Sequence, residues 1–390
     1  MDMFDKDEYR ARVERAQALM AKHDVAALFF TSEANVRYFT GYTSHRWLQP
    51  TSPEFGIIPR QGDPILVLPT IEMDRAGSHP WLRTIREATA GKGFVDTLVE
   101  AFNDVGAGTG RVAAELGSIL RLCMTHADFE AIKSRLPKAA FIDGSEIFWS
   151  LRMIKSPAEI GEMRKACDIT ASALSDLHEA ARPGKSEREL HAVMSAAVMQ
   201  HGADRPGSMP LGSRTPGEFH QADSHLRLHT GRAVQDGDLV WLDAGSIVGG
   251  YWSDTFRMFS VGKARQAAKD AYATVHDCIE ATIAATRPGA PTKGAMDAFR
   301  KVIDASPYQE FAQGRFRRSS LAHGIGLDLI EPPYMNQVDT SILQPGMVLT
   351  LEPFLYQPNI GFFMIEEQVL VTETGSEVLS HRAPAALPEV

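Results

Sequence analysis

Four carboxylates and one histidine stand where an ordinary soluble chain would carry apolar or turn residues. Asp243 follows "LVWL", Asp254 follows "GYWS", Glu352 follows "MVLTL" and Glu366 follows "FFMI". Each caps or interrupts a strongly apolar strand-like run. An acid carried into the interior on such a run must be paired, hydrogen-bonded or bound to a cation. Converging like charges repel unless cations neutralise them. His323, in "LAHGIGLDLIEPPY", lies among glycines that let the backbone approach closely, and it supplies a neutral nitrogen donor. One histidine and four carboxylates form a mostly hard-oxygen set. It suits Mn²⁺, Co²⁺ or Fe²⁺, and Zn²⁺ also fits. Two ions are the natural filling, because bridging carboxylates let one water touch both, which is the chemistry of metal-assisted hydrolysis.

The elements that would position these residues repeat. "ARPGKS" (181–186) returns as "TRPGAPT" (286–292), each between two helical patterns, and "GDLVWLD" (237–243) returns as "GMVLTLE" (346–352). A few residues beyond each comes a Gly-led run read as one strand bearing a further acid: "GYWSDTFRMF" with Asp254 and "GFFMIEEQVLV" with Glu366. Helices, turn and strands recur in the same order, which predicts two similar α+β halves packed face to face. The region opens on two capping boxes, "SPAE" (156–159) and "SERE" (186–189), each followed by apolar residues at helical spacing. Before it, "VAALFFTS" (25–32) and the two halves of "FGIIPRQGDPILVLP" (55–69) read as strands. They alternate with helical patterns such as "FVDTLVEAFNDV" and "HADFEAIKSRL", the signature of a layered α/β domain. The expected division is therefore residues 1–152 and 153–390.

A chain of 390 residues accommodates two domains, and 44% hydrophobic with 23% charged residues is ordinary for a globular protein. The net charge of −9, with no Lys/Arg run, argues against a nucleic-acid partner. The three cysteines are odd in number and far apart, so no disulfide framework is expected and a reducing compartment fits. The charged N-terminus lacks the apolar segment of a signal peptide, and no run of 18 apolar residues appears. A cytoplasmic protein with no membrane partner is the expectation.

With the motifs in view, the chain resembles the M24 metallopeptidases, the pita-bread fold of methionine aminopeptidase, aminopeptidase P, prolidase and creatinase. "LDAG", "SDTFR", "HGIGLDLIEPP", "LEP" and "IEE" carry the likeness, together with "IKSPAEIGEMRKA" and "ARPGKSERELHAVM". "NVRYFTGY" (35–42) resembles the creatinase/prolidase N-terminal domain. The resemblance implies an α/β N-terminal domain followed by an α+β pita-bread catalytic domain with an internal two-fold repeat. It implies a dinuclear hydrolase of C–N bonds, most like an Xaa-Pro dipeptidase or aminopeptidase. Asp243 would chelate one metal, His323 and Glu352 the other, and Asp254 and Glu366 would bridge. Manganese is the favoured ion. Glu352 would also shuttle a proton. A substrate-facing histidine is expected eighteen residues before Asp243, which gives His225, with His229 as its competitor. Relatives dimerise, and "SHRWLQPTSPEF" (44–55) is the corresponding closing loop, which implies a homodimer.

Two positions depart from the family pattern. Ile330 stands where peptidases of the family carry a second histidine, seven residues after the first, and Met364 stands where many carry an arginine. An isoleucine cannot donate a hydrogen bond. The substrate-facing wall is thus more apolar. This leaves open a non-peptidase member acting on a small nitrogenous or osmolyte-type compound, as a creatinase-like or ectoine-hydrolase-like enzyme or a lyase.

Overall fold

The structure, a computed structural model, describes residues 4–49, 54–77, 79, 81–218, 228–310, 322–336 and 338–390. The chain divides into two compact units, Met1–Arg152 and Met153–Val390.

In the first unit the order is α1 (Lys6–Lys22), β1 (Ala27–Phe30), α2 (Glu33–Thr40), β2 (Phe55–Pro59), β3 (Ile65–Pro69), α3 (Met73–Ala76), β4 (Thr84–Ala88), α4 (Phe94–Asp104), β5 (Arg111–Ala114), α5 (His126–Arg135), β6 (Ala140–Asp143) and α6 (Ser145–Arg152). The strands form one mixed sheet, β4-β3-β2-β1-β5-β6. The "RQGDP" turn joins β2 and β3 as an antiparallel hairpin, with Gly62 at φ 96°, a conformation that glycine adopts without steric penalty. Phe29, Phe55, Leu98, Phe102 and Val112 lie within one apolar cluster between sheet and helices. The candidate closing loop is only partly described: His45–Leu48 form a short 3-10 turn, and residues 50–53 lie outside the described residues.

The second unit opens on α7 (Pro157–Ala180) and α8 (Glu187–Gln200), followed by β7 (Arg205–Pro206), β8 (Leu211–Arg214), β9 (Leu239–Ala244), β10 (Ser246–Val248), β11 (Tyr251–Trp252) and β12 (Thr255–Ser260). Then come α9 (Gln266–Ala285), α10 (Lys293–Asp304), β13 (Ala322–Gly324), β14 (Glu331–Tyr334), β15 (Val348–Leu351), β16 (Phe354–Gln357), β17 (Gly361–Met364), β18 (Glu367–Val371) and β19 (Ser376–Val378). Both capping boxes form completely. Ser156 and Ser186 each accept from the backbone N–H three residues on, and Glu159 and Glu189 accept the return bond at 2.9 and 2.8 Å.

The repeat extends to individual hydrogen bonds. Gly184 N–H donates to Val234 O at 2.8 Å and Gly289 N–H to Leu343 O at 2.9 Å. The return bonds run from Val234 to Lys185 and from Leu343 to Ala290. Gly237 and Gly346, which open the matching strands, have φ of 80° and 88°. The sheet β12-β9-β8 in the first half corresponds to β18-β15-β13 within the sheet β14-β13-β15-β18-β19 of the second. A β-hairpin interrupts each half at the same place, β10/β11 and β16/β17. Trp241, Phe256, Leu349, Leu351 and Phe363 are buried in one shared core.

The structure corrects one expectation. "GYWSDTFRMF" and "GFFMIEEQVLV" are not single strands. The first breaks between Trp252 and Thr255, the second between Met364 and Glu367. Asp254 and Glu366 sit in these two-residue breaks. An unbroken strand would alternate its side chains between faces. The break frees each acid from that constraint, and the uninterrupted apolar pattern of the sequence hides it.

Candidate metal centre

Two strand ends, the middle of a short strand and two strand breaks bring the carboxylates and the imidazole together. Asp243 is the penultimate residue of β9 and Glu352 directly follows β15. His323 is the middle residue of β13, paired with Thr350 of β15 and Tyr334 of β14. Asp254, His323 and Glu366 offer ligand atoms that all lie within 4.8 Å of one another. His323 Nε2 is 3.7 Å from Asp254 Oδ2. Asp254 is the hub: it exchanges side-chain hydrogen bonds with Asp243 and Glu366 and feels the charge of Glu352.

The electrostatics are those of a site short of positive charge. Burial, then the charges of Asp243 and Glu352, push the Asp254 carboxyl well above the ordinary carboxylate range. Burial, then Asp254, Asp243 and Glu352, does the same to Glu366, only partly offset by Arg257. Burial pushes Asp243 up to about 6, and burial with the Asp243 charge pushes Glu352 up to about 8. Such acids are expensive as bare anions, and a cation removes the expense.

The imidazole is prepared for the same guest. His323 Nδ1 lies 2.9 Å from Gly324 O. A carbonyl only accepts, so Nδ1 carries the proton. Burial holds the ring below its usual pKa, hence neutral, which leaves the Nε2 lone pair on the side of Asp254. That is the tautomer a metal-ligating histidine adopts. The donor set therefore fits divalent cations.

The loop that carries His323 is braced from below. Glu331, fully buried, accepts from Lys155 Nζ at 3.0 Å and from Asp328 N–H at 3.2 Å. Gly324 is needed here, because a Cβ on it would lie 2.2 Å from Pro332 O.

Of the other expected site residues, Ile330 directly precedes β14 and is 46% exposed. Met364 is 1% exposed and packed into the shared core, so the structure offers it no open surface towards a substrate; all four residues of β17 are buried. His225 lies outside the described residues. Its competitor His229 stacks on His191, with ring centroids 3.9 Å apart. Sequence reasoning missed the roles of Lys155, Arg257 and Gln368. Only Arg257, three residues after Asp254, left a readable trace in "SDTFR".

Fold and site together define a two-unit metalloenzyme whose donor set is built from two structural repeats. Residues 161–373 match metallopeptidase family M24, and residues 12–154 match the creatinase/prolidase N-terminal domain. The chain belongs to the M24 family and is a metal-dependent peptidase-type hydrolase. It is 27% identical over 373 residues to the Xaa-Pro dipeptidase of Pyrococcus furiosus, covering 95% of this chain and 98% of that one. It is 30% identical over 251 residues to the Xaa-Pro dipeptidase of Pyrococcus horikoshii, covering 64% of this chain and 69% of that one. Among solved structures, the prolidase of Pyrococcus horikoshii superimposes with a TM-score of 0.81 at 25% identity, covering 96% of this chain and 99% of that one. The Xaa-Pro dipeptidase of Bacillus anthracis shares the fold, with a TM-score of 0.84 at 23% identity and coverage of 98% and 100%. Among the described residues, no helix is long and apolar enough to cross a membrane.

Proposed function

We propose that this chain cleaves the Xaa–Pro bond of short peptides, as a dipeptidase or aminopeptidase. Asp243, Asp254, His323, Glu352 and Glu366 would hold two divalent ions, manganese before cobalt, iron or zinc. The observation that carries the reading is the Asp254 hub, where four other candidate ligands meet one carboxylate. End-to-end similarity to an Xaa-Pro dipeptidase supports the substrate class. Divalent ions held there supply Lewis acidity for the scissile carbonyl and bring the pKa of water towards neutrality. The chain's own residues do the rest. Asp254 and Glu366 would hold the ions from the two halves of the unit. Glu352 carries a proton to the leaving nitrogen. His225 donates a hydrogen bond to the charge that develops on the carbonyl oxygen. A cytoplasmic homodimer completes the reading. The dimer rests on the family resemblance, and the compartment on cysteines that are odd in number and far apart in sequence.

Ile330 supports a second reading, a small nitrogenous substrate in place of a peptide, because its exposed side chain is apolar next to the His323 strand. Kinetics of wild type and Ile330→His on Ala-Pro and on a small cyclic amidine separate the two. For a peptidase, the new donor beside the carbonyl should raise Ala-Pro cleavage about ten- to a hundred-fold, the rate equivalent of roughly 1.5–3 kcal/mol for a hydrogen bond to developing charge. For the alternative, amidine turnover falls and Ala-Pro cleavage gains nothing. No change in either assay removes position 330 from the substrate's surroundings.

A further inference from the structure

Asp254 and Glu366 come from opposite halves of the second unit, and their separation must be right for a metal pair. Neither acid is held only by its own strand. Gln368, two residues after Glu366 in β18, reaches back so that its Oε1 accepts the backbone N–H of Asp254 at 3.1 Å, across 114 residues of sequence. Arg257, three residues after Asp254 in β12, reaches the other way. Its Nη1 donates to Glu366 O at 2.6 Å and its Nη2 to the Glu367 carboxylate at 2.9 Å. Glu366 N–H closes the set onto Phe256 O at 3.3 Å.

Both side chains are built in. Gln368 is 0% exposed, its Oε1 also lies 3.5 Å from Cys167 Sγ, and its own N–H donates to Ser380 Oγ at 3.0 Å. Glu367, also 0% exposed, balances the Arg257 charge and is itself fixed by Ala383 N–H at 2.7 Å and by the Ser380 hydroxyl. The bonds therefore run in both directions between the two halves. Three of them end on backbone and the fourth on the carboxylate of Glu367, so none of them occupies the carboxylate of Asp254 or Glu366.

We propose that Gln368 and Arg257 are positioning residues: a reciprocal clamp that sets the distance between Asp254 and Glu366, and so decides whether a second cation is held. The inference rests on the metal-binding reading of the same site. Partners of this kind, which fix ligands without touching the ion, alter metal affinity by about 10- to 100-fold when removed.

The test is Co²⁺ titration of the metal-free full-length chain by calorimetry and visible absorption, paired with melting of the metal-free form. Wild type should take up two equivalents. Gln368→Met keeps the volume and loses the acceptor. Arg257→Lys keeps the charge and loses the two-pronged donor. Both should bind the first ion and weaken the second about 10- to 100-fold, with an altered cobalt spectrum. Ser186→Ala removes the α8 cap, whose bonds run to Glu189 and not to the acids of the site. It should lower melting and leave the cobalt isotherm unchanged. A wild-type isotherm in both clamp variants overturns the proposal. So does a Ser186→Ala chain that loses the second ion equally, since the effect would then be general softening. A Gln368→Met chain without cooperative melting also overturns it, by making the residue a determinant of the fold. Wild type that binds no Co²⁺ removes the metal reading itself.

Discussion

Asp254→Ala is expected to yield a folded chain that retains no metal pair, shows no peptidase activity and, in metal-free buffer, melts higher than wild type. The first two effects follow from the hub. The surroundings of Asp254 include Asp243, Glu352, Glu366 and His323 together, so its loss disconnects both halves of the donor set. The third follows from repulsion. Without a cation the site gathers buried acids whose folded pKa values lie above their unfolded ones, Asp243 at about 6 and Glu352 at about 8. The folded chain then binds more protons than the unfolded chain between roughly pH 4 and pH 8. The metal-free protein must lose stability as pH rises through that window. Removing Asp254 flattens the slope. Saturating metal reverses the order, because a ligand at a hundred times its Kd stabilises the native state by about 2.7 kcal/mol, and only wild type can collect that gain. Melting curves at pH 5 and pH 8, with and without Mn²⁺, read all of this. A variant that still binds two ions with wild-type affinity would falsify the assignment.

His225→Ala is expected to lower kcat on the order of 100-fold, as for loss of one donor to a developing oxyanion, with metal content unchanged. The position comes from its place eighteen residues before Asp243 and from the family resemblance. The discriminating quantity is the pairing of the two readouts. Lower kcat with intact metal makes His225 a substrate contact. Lost metal makes it a ligand. Unaltered kinetics would transfer the role to another residue, with His229 next to be tested.

The sequence carried more of the fold than of the site's surroundings. Capping boxes at Ser156 and Ser186 were legible because both of their bonds are local. The two halves were legible because Gly184 and Gly289, and Gly237 and Gly346, must occupy the same unusual backbone region. The acids stood out because an apolar run makes them costly. What stayed hidden depends on distance in sequence. Nothing in "EEQVLV" says that Gln368 reaches Asp254, and nothing near Lys155 announces Glu331, 176 residues away. Met364 shows the same limit: its position relative to Glu366 is visible, but the packing that buries all of β17 is not.

The clamp between distant strands also bears on when the site comes into being. Contacts across more than a hundred residues pay their loop-closure entropy before they return any energy, which places them late in folding. Until the halves dock there are two incomplete ligand sets and no site. A cation therefore recognises only the finished structure and adds its binding energy on the native side of the barrier. Interactions absent from the transition state slow unfolding and leave the folding rate nearly untouched. Metal in this chain acts as a latch on the lifetime of the folded enzyme. Metal supply would set how long each molecule survives, and not how readily it forms.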